Sequence, residues 1–157
     1  MKLSEHFDLS EFVASDTATA RHINNMPPPE CIINLTKLAM ALEDVRTLLG
    51  HPVTISSGYR CPDLNAAVGG VAGSDHTRGL AADFICPEFG TPLEIAQAVA
   101  AAAAVHDAPI RIGQLIYEKP KAIPWVHFSI HPIALPQNRI ITIDKFGTRP
   151  GLLEARA

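Results

Sequence analysis

An aspartate stands in the middle of an apolar run, Leu80-Ala81-Ala82-Asp83-Phe84-Ile85, and this restricts the fold more than any other feature of the chain. The run alternates loosely and reads as a strand. A carboxylate in such a strand cannot stand alone, because an unpaired charge in apolar surroundings is very costly. The fold must therefore bring it a partner. A zinc ion is one candidate, and an arginine, Arg60 or Arg78, is another.

The segments around this strand suggest what it packs against. Cys31, Leu35, Leu38, Leu42, Val45 and Leu49 recur at steps of three and four, which predicts an amphipathic helix starting after Pro27-Pro28-Pro29 and ending near Gly50. Thr91-Pro92 predicts the start of a second helix, capped by the threonine and running through an alanine-rich stretch to about Ala104. Shorter helical pieces are expected after Ser10, read as an N-cap, over Thr17 to Ile23, and around Asp63 to Ala67. Strands are expected at Val53 to Ser56, Ile110 to Tyr117, Trp125 to Ile130 and Arg139 to Ile143. Glu118 to Pro124 reads as a hairpin connection, and the stretch after Asp144 as a loosely fixed tail. Helices mixed with hairpin-linked strands point to an α+β fold with a central antiparallel sheet. The 157 residues fit one domain, with its motifs between residues 53 and 130.

Composition removes several functional classes. Apolar residues make up 47% and charged residues 18%, as in a globular chain rather than a disordered one. A net charge of −3 and the lack of a basic stripe argue against nucleic acid as a partner. No apolar run is long enough for a membrane span, and the start of the chain lacks the apolar region of a secretory signal. Synthesis in the cytoplasm is the expectation. Cys31, Cys61 and Cys86 have no C-x-x-C spacing and read as free thiols, which disfavours a cysteine zinc site.

Chemistry concentrates between Gly58 and Gly79, a stretch rich in Gly, Ser, Asn and Asp. His76 ends this loop, Asp83 follows seven residues later, and His127 lies in the later strand on the alternating face of Trp125 and Ser129. Two imidazoles and a carboxylate suit zinc, and three protein ligands leave a fourth position for water. No piece is specific alone: a His-x6-Asp pair recurs by chance, and a strand histidine is often a core residue. No Gly-Lys-Ser/Thr follows the glycines, so a phosphate loop is not indicated.

The pieces gain meaning together. Ser57-Gly58-Tyr59-Arg60, Asn65, Gly69-Gly70, Ser74-x-His76-x-x-Gly79-x-Ala81-x-Asp83 and Trp125-Val126-His127 resemble the zinc D-alanyl-D-alanine carboxypeptidase family. That family includes phage endolysins and shares its fold with the hedgehog signalling domain. The N-terminal His6-Phe7-x-Leu9-Ser10-Glu11-Phe12 is similar to phage and prophage members. The resemblance implies one zinc ion on His76, Asp83 and His127. It implies that Arg60 meets a substrate carboxylate or carbonyl, that Ser74 contacts substrate near the metal, and that Trp125 lines the cleft. The plainer alternatives are that Arg60 pairs with Asp83 or Asp63, that Ser74 shapes its loop, and that Trp125 belongs to the core.

The general base is where the chain departs from one branch of that family. The acid three residues before the last histidine is replaced by Pro124. Glu118 is the best substitute, because a hairpin would place it close to the start of Trp125's strand; it also resembles the Tyr-Glu pair of the hedgehog-type domain. Its alternative is a solvated residue pairing with Lys119 or Lys121. His6, His22, His51, His106 and His131 match no motif position. The implied activity is zinc-dependent hydrolysis of an amide in peptidoglycan stem peptides, as a carboxypeptidase or a lysin-type endopeptidase. Such a monomeric lysin would be released by a holin or carried in a virion. The alternative is a catalytically silent zinc-binding structural or virion protein of the same fold.

Overall fold

A computed structural model describes residues 1–107, 109–121, 123–130 and 138–154. The amphipathic stripe becomes the longest helix, α3 (Pro29–Leu49), after α1 (Leu9–Val13) and α2 (Asp16–Ala20). All six of its predicted apolar positions are buried, and it ends at Gly50. Asp8, not Ser10, caps α1: the Glu11 carboxylate accepts from the Asp8 backbone N–H at 2.8 Å, satisfying a donor that precedes the helix. The chain continues through β1 (Thr54–Ser57), α4 (Pro62–Ala67), a 3-10 turn (Asp75–Arg78) and β2 (Ala81–Ile85). Then come α5 (Pro92–Ala103), β3 (Gln114–Lys119), β4 (Trp125–Ser129), β5 (Arg139–Asp144) and β6 (Gly147–Pro150). Thr91 caps α5, as its sequence predicts, and the Glu94 side chain returns the bond to the Thr91 backbone.

Among the described residues, six strands form one sheet in the order β1-β2-β4-β3-β5-β6. The fold is α+β, with helices packed on the sheet. It departs from the expected antiparallel pattern at one place: β5 runs parallel to β3, from Gln114↔Arg139 to Lys119↔Asp144. β3 lies between β4 and β5, so these two strands, consecutive in the chain, are not hairpin partners. Gly147–Pro150, within the stretch expected to be loosely fixed, pairs antiparallel with β5. His131 lies outside the described residues.

Register sorts side chains between the two sides of the sheet. Asp83 pairs with His127 and His127 with Ile116, while Trp125 pairs with Glu118, so these five residues share one face. Ala82, Phe84, Leu115, Tyr117, Val126 and Phe128 occupy the other. They join the apolar stripe of α3 and Ile95, Ala96 and Val99 of α5 in one core. No helix among the described residues is long and apolar enough to cross a membrane.

Candidate metal centre

Strand pairing brings Asp83 and His127 side by side, and the 3-10 turn delivers His76 to the same point. Nε2 of His76 lies 3.1 Å from Nδ1 of His127 and 3.2 Å from Oδ1 of Asp83. His127 Nδ1 lies 2.9 Å from that same Oδ1. All three residues are buried. The three atoms therefore form a nearly equilateral triangle. Ligand bonds of about 2.0–2.1 Å in a tetrahedral zinc site require edges of roughly 3.3 Å, close to those found.

The protons fit a cation as well. His76 Nδ1 lies 2.6 Å from the Gly58 carbonyl, which can only accept. In the neutral ring Nδ1 therefore carries the proton, and Nε2 turns a lone pair into the triangle. Two lone-pair atoms and the His127 nitrogen then converge with at most the proton of His127 Nδ1 between them. That is an electron-rich pocket suited to a metal, with an outer hydrogen bond already fixing one ligand's tautomer.

The carboxyl of Asp83 responds to this setting. Burial alone would push it up, but the positive charge His76 carries when Nε2 is also protonated, and the hydrogen bonds His127 and His76 then donate, outweigh that and hold it well below the usual carboxylate range. In His127, burial works against the charged ring, yet the hydrogen bond and charge of Asp83 raise it above its ordinary value.

The loop bearing Arg60 is built by distant parts of the chain. A side chain at Gly58 would put its Cβ 2.6 Å from the Phe12 carbonyl oxygen, so only glycine lets this loop lie against α1. The Tyr59 N–H donates to the same carbonyl at 2.7 Å. The Asn25 amide donates to the Val13 and Tyr59 carbonyls, both at 3.0 Å, and its Oδ1 accepts from the Cys61 N–H at 2.8 Å. On the other side, Gly79 closes the 3-10 turn at φ +68°, with a Cβ position only 2.7 Å from the Cys31 carbonyl of α3. The Asn34 amide donates to the Arg78 carbonyl at 2.9 Å, tying α3 to the turn that carries His76.

The remaining expected site residues take different places. Glu118 is half-buried on the metal face, one strand beyond His127. Burial pushes its carboxyl up and the Asp83 charge adds to this, while His127 and Arg60 only partly offset them. Trp125 is half-buried beside it, and among the described residues its indole Nε1 has no hydrogen-bond partner. Ser74 caps the 3-10 turn, its hydroxyl accepting from the His76 N–H at 3.4 Å. Arg60 Nη2 donates to Asp83 Oδ2 at 2.6 Å, one of the two pairings weighed for it from sequence. Gly58, as the acceptor for His76, and Asn25, as the loop's anchor, were not identified from sequence. Their contacts are backbone-directed and distant along the chain, so no local pattern signals them.

A family model supports the same reading. The model for Peptidase M15 matches residues 5–117, and the chain belongs to that family. M15 peptidases are zinc-dependent, and the His76–Asp83–His127 group can hold a metal. The match contains Arg60, His76 and Asp83 but ends before Glu118 and His127. His127 and Glu118 are placed by strand pairing instead. The chain matches none of the curated proteins compared with it.

Proposed function

We propose that this protein hydrolyses an amide bond in peptidoglycan stem peptides, with one zinc ion held by His76, Asp83 and His127. The observation that carries the reading is the triangle of His76 Nε2, Asp83 Oδ1 and His127 Nδ1, with Glu118 on the same sheet face. Zinc bound there supplies Lewis acidity, polarising the scissile carbonyl and making water more acidic.

The chain's own residues supply the rest. The Glu118 carboxylate takes a proton from the attacking water and returns it to the nitrogen of the leaving amine. Its raised pKa makes this carboxylate a stronger base toward that water than an ordinary glutamate. The His76 Nδ1–H bond to Gly58 fixes the ring's orientation and holds Nε2 toward the other two ligand atoms. Trp125, half-buried beside Glu118 on the same sheet face, contributes its ring to the wall of the site. The peptidoglycan substrate and a lysin-like role rest on the motif resemblance across residues 56–130 and at the N-terminus.

Incubation of the zinc-loaded protein with isolated peptidoglycan, followed by mass spectrometry of the fragments, tests this. New amine and carboxyl ends are expected, and their position identifies the bond cut. Zinc bound stoichiometrically with no new ends would instead favour a silent structural protein. That second reading has one specific observation behind it: proline at position 124, where one branch of the family has an acid.

A further inference from the structure

The Asp83 carboxylate has two oxygens with separate jobs. Oδ1 faces His127 Nδ1 at 2.9 Å and His76 Nε2 at 3.2 Å. Oδ2 accepts from Arg60 Nη2 at 2.6 Å. The Arg60 guanidinium is held at a second point, with Nε donating to the Ser57 hydroxyl at 2.9 Å. Its backbone N–H donates to the His76 carbonyl at 3.2 Å. One residue thus touches the side chain of one member of the triangle and the backbone of another.

Ser57 reaches Arg60 because of a local irregularity in β1. Ile55 pairs with Phe84, whose side chain is on the core face, and two residues later a regular strand would pair Ser57 with Ala82 on that face. The register instead shifts between Ile55 and Ser57, and Ser57 pairs with Asp83. The extra residue, Ser56, turns Ser57 to the metal face, as bulges beside functional sites do. Ser56 itself donates its hydroxyl to the Asp83 carbonyl at 3.1 Å, pinning the bulge to the strand that carries the ligand.

We infer that Arg60, braced by Ser57 on the β1 bulge, is a positioning residue that restricts Asp83 to binding the metal through Oδ1 alone. A carboxylate with both oxygens free can bind a cation bidentately, raising its coordination number. With Oδ2 held by the Arg60 Nη2–H, that mode is closed, and the site keeps the four-coordinate geometry that leaves a single open position. The inference rests on the zinc reading above and gives Arg60 a task distinct from direct contact with substrate.

Cobalt substitution and zinc affinity test it together. Wild-type protein loaded with Co2+ should show the intense visible bands of a four-coordinate ion. Arg60→Gln should weaken those bands, as Asp83 turns bidentate, and should lower Zn2+ affinity by about 10–100-fold in competition with a chelator. Its kcat should fall more than its KM rises. Ser57→Ala should move the spectrum in the same direction by less, and it carries the test if Arg60→Gln does not fold. Unchanged spectra and zinc affinity in both variants, with only a higher KM for peptides ending in a free carboxylate, would overturn the inference and make Arg60 a substrate ligand. Failure of the wild-type protein to bind either metal would overturn the zinc reading and the clamp with it.

Discussion

One face of the sheet presents Phe84, Leu115, Val126 and Phe128 to α3 and α5, while the other presents Asp83, His127 and Glu118. Both are largely shielded from water, yet they act on the fold in opposite senses. Each large side chain on the core face contributes about 1.5–3 kcal/mol by leaving water. Each ionisable group on the metal face costs free energy to bury and is tolerated only because neighbours offset the loss. Strands β2 and β4 serve both faces, so a residue's role changes completely from one position to the next. Asp83 lies between Ala82 and Phe84, and His127 between Val126 and Phe128. A strand locked in register by its core side is a rigid mount for chemistry on its other side.

The sharpest way to break this contrast is to damage each face in turn. Phe128→Ala removes a fully buried ring and should destabilise the fold by about 3–5 kcal/mol, a large share of a typical domain's stability. Chemical denaturation should show this loss equally with zinc and with chelator. A loss below about 1 kcal/mol would mean that the core face is not what holds the sheet. His127→Ala should do the reverse. Zinc held at this site should stabilise the wild-type protein by mass action, by about 2.7 kcal/mol at a hundredfold excess over Kd. In the variant that zinc-dependent gain should vanish, together with turnover. Persistence of the gain would remove His127 from the ligand set.

Glu118→Gln sharpens the comparison within the metal face. It keeps the shape of the side chain but cannot take a proton. Zinc content and melting should stay near wild type while kcat falls about 10²–10⁴-fold. Near-normal turnover would move the base elsewhere. The pH profile adds a smaller, independent reading. Because burial and the Asp83 charge raise the Glu118 carboxyl, it remains protonated to higher pH than an ordinary glutamate. The acid limb of kcat/KM should therefore fall away above the ordinary value of about 4.3, and Glu118→Gln should lack that limb. The smallest effect belongs to Ser74→Ala. Loss of its cap should cost about 1 kcal/mol or less, with kcat and KM unchanged if the serine only shapes the turn. A raised KM would give it a contact with substrate as well.

Local pattern made much of this molecule legible. The three- and four-residue steps from Cys31 to Leu49 gave α3 its buried face, because a helix repeats within a few residues. Thr91-Pro92 marked the start of α5 for the same reason. The six residues between His76 and Asp83 meant little by spacing alone, and the surrounding motifs gave them weight. The cap of α1 was misplaced by two residues, since Ser10 and Asp8 both suit that position and only the reach of Glu11 chooses between them. The parallel pairing of β3 and β5 left no local trace, because strand composition does not record the direction of the neighbouring strand.

By itself the sequence determined which side chains could do chemistry, which helices would form and which residues each strand would turn to opposite sides. Tertiary structure alone decided that Asp83 Oδ1 faces two histidines while Oδ2 faces Arg60. It decided that Ser57 crosses to the metal face, and that Asn25 and Phe12 fix a loop far along the chain. The physical reason is range. Side-chain periodicity is set by bonds between near neighbours, whereas the partner of a buried charge is set by where the chain returns, and a bulge of one residue is enough to reverse a face.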